Sequence, residues 1–295
     1  MNIIKYKYIF IGFSTILTIA AVVGIVFFGF KQGIDFAGGT LWQLRFSSES
    51  ATLDGLNGFL ATQSLEDVLV RQGATPKEFS IRTKEIGEER HQELLRQLNS
   101  QFGEMEELSF ASIGPAIGYE LRNRALLAFF LVLLGISLYI AFAFRKVSYP
   151  VSSWKYGFIT LVTLFHDALI PAGAFAILGQ LRGAEVDTNF IVAILVVMGF
   201  SVHDTIVVFD RIRENLLLSK HKENFSEIVN ASVNQTFARS VNTSLTLVLV
   251  LVALYLFGAH NLSYFTLLIL VGTITGTYSS IFVASPLLTF FKPKY

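Results

Sequence analysis

Two adjacent His–Asp pairs, His166-Asp167 and His203-Asp204, stand inside long apolar runs. An ionisable side chain at the centre of a membrane span costs about 2.5 kcal/mol or more, so it normally faces a partner or a wet cavity. Asp204 needs such a partner at its own depth. Arg239, Asn242, Thr243 and Thr246 follow helical spacing (i, i+3, i+4, i+7) and share one face of a later apolar run. A contact between Asp204 and Arg239 that opened and closed would change how tightly the carboxylate holds a proton, which is what a proton carrier requires. Asp167 and His203 are further relay candidates, with Asn242, Thr243 and Thr246 as polar support. The plainer readings are a snorkelling Arg239, a fixed structural pair at Asp204, and histidines that bond within the bundle. Two carboxyl groups on neighbouring spans could also cut a peptide bond, but neither has a G-x-G-D context and their depths differ. No set of His, Asp or Glu has metal-ligand spacing. Cysteine is absent, which excludes disulfides and thiolate sites. The chain is expected to be no enzyme and to need no metal or cofactor.

The elements that must position these groups are helices in lipid. Of the 295 residues, 53% are hydrophobic and 15% charged, against about a quarter charged in soluble domains. The charges crowd into residues 31–124 and a few connectors. The net charge of +1 gives no electrostatic case for nucleic acid. Spans are predicted at 8–30, 125–144, 156–178, 188–209, 240–258 and 263–290, each near the roughly 20 residues a bilayer needs; the fifth is the shortest and starts polar. The first is too long for a signal-peptide core and no A-x-A site follows, so it reads as uncleaved. With the N-terminus inside, the inner segments carry Lys5, Lys7, Arg145, Lys146, Lys155, Arg211, Arg213, Lys220, Lys222, Arg239, Lys292 and Lys294, while the short outer loops carry Arg182. That bias predicts cytoplasmic termini. The chain then divides into 1–30 (N-terminal end and first span), an extracytoplasmic domain at 31–124, and 125–295 (five spans with a cytoplasmic loop at 210–239).

Within 31–124 the pattern reads β-α-β-β-α-β: Thr40–Phe46, Thr52–Thr62, Val68–Arg71, Phe79–Thr83 across the Gly73–Pro76 connector, Glu88–Phe102 and Glu107–Ile113. That is the ferredoxin-like order. Gly33, Asp35, Gly38 and Gly39 form a glycine-rich hinge or turn where the first span ends. Ile113–Leu121 opens with Gly114-Pro115 and predicts an amphipathic helix near the outer surface before the second span. Residues 219–239 predict an interfacial helix before the fifth. Gly272, Thr273, Gly276, Thr277 and Ser280 line the sixth span with small residues that permit close packing, within the chain or against a partner.

Several of these strings resemble the SecD/SecF family. Gly33–Thr40 is similar to its G-I-D-F-x-G-G-T signature, and Ile113–Leu121 to its I-G-P-x-x-G-x-E-L segment. Val202–Asn215 resembles V-H-D-T-I-V-V-F-D-R-I-R-E-N, and Arg239–Ser244 resembles R-S-x-N-T-S, both typical of the shorter SecF branch. Where the family continues T-S-x-T-T, this chain has Thr243-Ser244-Leu245-Thr246-Leu247, one hydroxyl fewer. The resemblance implies an RND-type transporter half with six spans in a bacterial inner membrane. It implies SecD as the partner supplying the other half, with the SecYEG channel, exported preprotein and membrane lipid around it, and proton flow driving the external domains. By position it assigns Asp204 as the relay acid and Arg239 as its basic partner. Half of an RND-type small-molecule or lipid exporter is the alternative; a domain as small as 31–124 could enclose little cargo.

Overall fold

The protein is described here by a computed structural model covering residues 1–48, 51–73, 75–145, 151–219 and 224–291. Lys146, Lys220, Lys222, Lys292 and Lys294 from the charge count, and Ala74 from the hairpin connector, lie outside the described residues. The chain forms two compact units, Met1–Lys31 with Leu127–Tyr295, and Gln32–Leu126.

Among the described residues six helices are long and apolar enough to cross a bilayer, which makes this a multi-pass membrane protein. They are α1 (Lys7–Phe28), α5 (Pro115–Ala143), α6 (Ser153–Arg182), α7 (Thr188–Leu218), α8 (Phe225–Phe257), and α9 (Ser263–Ser279) joined to α10 (Ser285–Leu288) by a π turn over Ser280–Ala284. Asp187 caps α7 by accepting from Phe190 N at 2.8 Å, and Asn224 caps α8 by accepting from Ser226 N at 3.0 Å, which satisfies donors a helix start leaves free. More than half of the apolar stretch of α6 and of the last span is buried, against less than a fifth for α1, α5 and α8. So α6, α7 and α9 are the centre of this unit. Small residues let them approach. A Cβ added to Gly173 of α6 would lie 2.5 Å from Ala21 of α1, and one added to Gly272 of α9 would lie 2.2 Å from Val197 of α7.

The unit Gln32–Leu126 holds α2 (Ile34–Ala37), β1 (Gly39–Phe46), α3 (Leu53–Ala61), β2 (Leu69–Gln72), β3 (Glu78–Thr83), α4 (Glu88–Phe102) and β4 (Met105–Ile113). The strands form one antiparallel sheet in the order β2-β3-β1-β4. Strand alternation buries Trp42, Leu44 and Phe46 of β1 with Phe79 and Ile81 of β3; Leu56 and Leu60 of α3 and Leu94 and Leu98 of α4 complete that core.

Two boundaries differ from expectation. No separate amphipathic helix precedes the second span: α5 runs unbroken from Pro115 for 29 residues. Proline is favoured in a first turn, and the residues after Gly118 hold nothing that stops a helix. Likewise, among the described residues, no interfacial helix stands apart from the fifth span; residues 220–223 of the expected segment lie outside them. α8 is 33 residues long, about 50 Å, so the span expected to be shortest belongs to the longest helix. Its first turns bury Phe225, Ile228, Val229 and Val233 in one core with Ile212 and Leu216 of α7. An apolar stripe that looked interfacial is spent on a helix neighbour.

Candidate functional site

Asp204 lies on the buried face of α7 and is 6% exposed. Its Oδ2 has no hydrogen-bond partner. Opposite stands Ser240 of α8, fully buried, whose hydroxyl is also unpartnered. Ser240 is near enough to interact with the carboxyl electrostatically without completing a hydrogen bond. A buried polar group left unpaired costs on the order of 1–3 kcal/mol, so this acid and hydroxyl are poised to respond to small helix movements. One turn further, Phe209 packs edge-to-face on Tyr156 at 5.2 Å and the bundle is apolar.

The expected contact between Asp204 and Arg239 is not made. Arg239 is exposed and forms no ion pair among the described residues. The reason is helical phase. Each residue turns about 100° around the axis, so placing Ser240 inward sends Arg239 outward. Asn242, Thr243 and Thr246 are exposed with it, as their shared spacing requires, and Thr246 Oγ1 donates to Thr243 O at 2.7 Å. His203 is exposed as well. The inward face of α8 is instead Ser232, Thr236, Ser240 and Ser244. This hydroxyl at every fourth residue was the available signal, overlooked beside the arginine.

Asp167 is completely buried on α6. His166 Nδ1 lies 2.7 Å from its Oδ1, Ser279 of α9 donates to its Oδ2 at 2.7 Å, and Ser201 of α7 donates to the same oxygen. His166 Nε2 meets Ser14 of α1. Pro171, inside α6, removes the N–H that would otherwise bond the Asp167 carbonyl. Ser280 opens the π turn and pairs with Thr205 at 2.8 Å, beside Asp204. Such π turns recur at functional positions in helices. Sequence reasoning named Asp167 but missed Ser14, Ser201, Thr205 and Ser279, which lie on three other helices. Among the described residues no group of three or more His, Cys, Asp or Glu could hold a metal ion.

In the other unit the structure joins two motifs that the sequence kept apart. Gly38 and Gly39 have φ of 75° and 115°. A Cβ on Gly38 would lie 2.8 Å from Pro115, one on Gly39 2.7 Å from Thr83 O, and one on Gly118 2.9 Å from Gly38 N. The glycine turn is therefore packed directly on the start of α5. Gly33 and Asp35 flank it, Gly33 as the extended residue before α2 and Asp35 in its first turn.

Comparison with known proteins shows a consistent kinship. The family described as "Protein export membrane protein SecD/SecF, C-terminal" matches residues 93–294, and the "SecD/SecF GG Motif" matches residues 23–49. The protein translocase subunit SecF of Thermobaculum terrenum is 44% identical over all of this chain and 95% of its own. The protein translocase subunit SecDF of Thermus thermophilus is 37% identical over 95% of this chain, which corresponds to 37% of that longer protein. A crystal structure of SecDF from Thermus thermophilus, described as translocon-associated, matches at 34% identity with a TM-score of 0.83; it covers 98% of this chain, which spans 38% of that one. SecDF in a super-membrane-facing form matches with a TM-score of 0.68.

Proposed function

The chain belongs to the SecD/SecF family of protein export membrane proteins, and from that premise we propose that it is the SecF-like half of a SecD–SecF pair that uses the proton motive force to promote polypeptide translocation through the Sec channel. The observation that carries this reading is Asp204, a carboxyl group buried in a span with one oxygen unpartnered. A proton moved across 100 mV releases about 2.3 kcal/mol. That is comparable to the cost of a broken buried hydrogen bond, so protonation can decide whether Asp204 joins Ser240 or turns to another partner. Arg239 faces outward on α8, so in this reading it becomes that other partner only when the bundle rearranges within an assembly with a SecD-type subunit. The similarity to a SecDF chain that continues well beyond this one supports such a subunit. SecYEG and the exported preprotein complete the assembly.

In this reading the unit Gln32–Leu126 is an extracytoplasmic domain of ferredoxin-like fold, supported by the strand order β2-β3-β1-β4. The termini are cytoplasmic and the membrane is the bacterial inner membrane, supported by the lysine and arginine bias of the loops. The protein moves a substrate and performs no covalent chemistry. The glycine turn at Gly38-Gly39 passes motion between the domain and α5. The test is Asp204→Asn in inverted membrane vesicles. Expected are normal insertion and ATP-driven export, with loss of the stimulation given by a proton gradient; export that still responds fully to the gradient defeats the assignment. Arg239→Lys is expected to lose most of the same stimulation, because an ammonium does not replace a guanidinium fork.

A further inference from the structure

We propose that the crevice between α1 and α6 holds one acyl chain of an anionic phospholipid, whose headgroup sits between Lys7 and Lys155 at the crevice's mouth. The crevice has a volume of about 440 Å³ and is lined by Ile11, Ser14, Thr18, Val162, Leu169 and Val283 among others. That is within the ~300–1,000 Å³ of pockets that take small ligands. Thr15, Val162 and Phe165 on its rim are exposed, so it opens toward the surrounding hydrocarbon. Its hydroxyls are already engaged inside the bundle. Thr15 donates to Ile11 O at 2.8 Å, Thr18 donates to Ser14 O at 2.9 Å, and Ser14 pairs with His166. What remains facing the space is aliphatic and aromatic carbon, which suits hydrocarbon and gives water little to bind.

The headgroup end follows from the two stripes that line the crevice. Lys7, Ile11, Ser14 and Thr18 recur at i, i+4, i+7 and i+11 on α1, and Lys155, Val162 and Leu169 at i, i+7 and i+14 on α6, so each stripe starts with a lysine. Lys7 Nζ donates to Thr289 Oγ1 at 2.8 Å and lies 4.3 Å from the centre of the Phe290 ring; Lys155 Nζ lies 4.9 Å from that of Phe291. The two ammonium groups thus flank one short segment, just past Leu287 of the crevice wall. A lysine has three donors, and one of those on Lys7 is taken. Residues 1–30, 151–166 and 280–291 contain no Asp or Glu, so the segments that form the mouth bring no acid to neutralise the pair. Exposed Tyr6, Tyr8 and Trp154 stand at the same end, as in the aromatic belt of a membrane interface. That sets the lysines at headgroup depth. From Ile11 to Ile19 the crevice runs about 12 Å along α1, most of the roughly 15 Å that one leaflet offers. Depth, charge and lining therefore agree on one occupant. A phosphate meets both lysines, one chain lies in the crevice, and the lipid fastens α1, a span with little burial of its own, to α6.

This inference goes beyond the proton-coupling reading and does not rest on it; it requires only that the helices span a bilayer. The test is native mass spectrometry of the full chain, released from detergent with dioleoyl phosphatidylglycerol or with phosphatidylcholine of the same chains. Expected is one retained phosphatidylglycerol per chain, with phosphatidylcholine held at least about tenfold more weakly, in keeping with the attraction of two lysines for an anionic headgroup. Lys7→Gln combined with Lys155→Gln should weaken retention of phosphatidylglycerol by a similar factor. Thr15→Trp, which fills the crevice from an exposed position, should do the same without lowering the thermal midpoint of the lipid-free chain; Val162→Trp on the opposite wall replaces it should that variant not fold. Arg211→Gln combined with Arg213→Gln removes as much charge elsewhere and should leave retention unchanged. Equal retention of the two lipids, or an equal loss in the lysine and arginine pairs, would reduce the site to general attraction and overturn the proposal. So would retention that survives a filled crevice, or release of the lipid when a SecD-type subunit is present, which would assign the crevice to that subunit.

Discussion

Asp204 and Ser240 are each short of a hydrogen bond, and each is the other's nearest remedy. Ser240→Ala should therefore insert and fold as the parent does, since it deletes one oxygen that bonds nothing. Its effect belongs to the cycle: gradient-driven stimulation of export should fall by between about twofold and tenfold, the worth of one neutral hydrogen bond, and its pH profile should shift. Ser240→Thr, which keeps the hydroxyl, should stay near the parent. Equal activity of Ser240→Ala across the pH profile would remove this serine from the relay. Sequence alone singled out Asp204 as a candidate, because a carboxylate in an apolar run announces itself. It did not identify the serine, because a hydroxyl in a helix is unremarkable until the phase of that helix is known. Gly39 is the opposite case, since the Gly38-Gly39 pair announced a turn and the structure supplies the cause. With φ of 115° and Thr83 O so near, Gly39→Ala should destabilise the sheet unit by about 1–3 kcal/mol, seen as faster proteolysis within residues 32–126 of the full chain.

Helices decide which of those groups meet. α7 and α9 come together where α9 carries Gly272 and Gly276, and a Cβ on the latter would lie 2.9 Å from Cβ of Ser201. That close approach is what lets Ser201 and Ser279, from two helices, reach one oxygen of Asp167 on a third. The small stripe was legible in the sequence as a packing face; its partner was not, since spacing gives a helix a face but no neighbour. Gly272→Leu should drive the helices apart at a cost of about 1–3 kcal/mol, lowering the thermal midpoint in detergent by several degrees. Gly199→Leu, on the facing helix α7, is the control: there an added Cβ meets nothing within 4 Å. Equal midpoints for the two variants would show that the crossing tolerates bulk. The long helices α5 and α8 carry a related lesson. Composition showed where lipid-compatible sequence starts, but a helix continues past that point until a residue stops it.

At the scale of the whole molecule, the bundle presents to its surroundings a face that lipid would not choose. Arg239, Asn242, Thr243 and Thr246 lie exposed on α8, while Leu245, Leu249 and Val250 beside and beyond them are exposed as hydrocarbon allows. An arginine can reach the headgroups and a threonine can bond its own helix. An exposed asparagine at that depth has neither escape, and helix association through such side chains is how membrane proteins usually satisfy them. A partner of the SecD type, whose counterpart is continuous with the matching region in the SecDF chain, is the natural cover. Replacing Asn242 and Thr243 together by leucine leaves the inward face of α8 untouched, so the isolated chain should keep its thermal midpoint. What should change is assembly. Interhelical hydrogen bonds in membranes average about 0.6 kcal/mol each, so losing two should weaken association roughly sevenfold, read as the amount of SecD-type subunit that co-purifies with the tagged chain at limiting expression. Undiminished co-purification would mean that α8 meets lipid here and that its exposed polar face is no subunit interface.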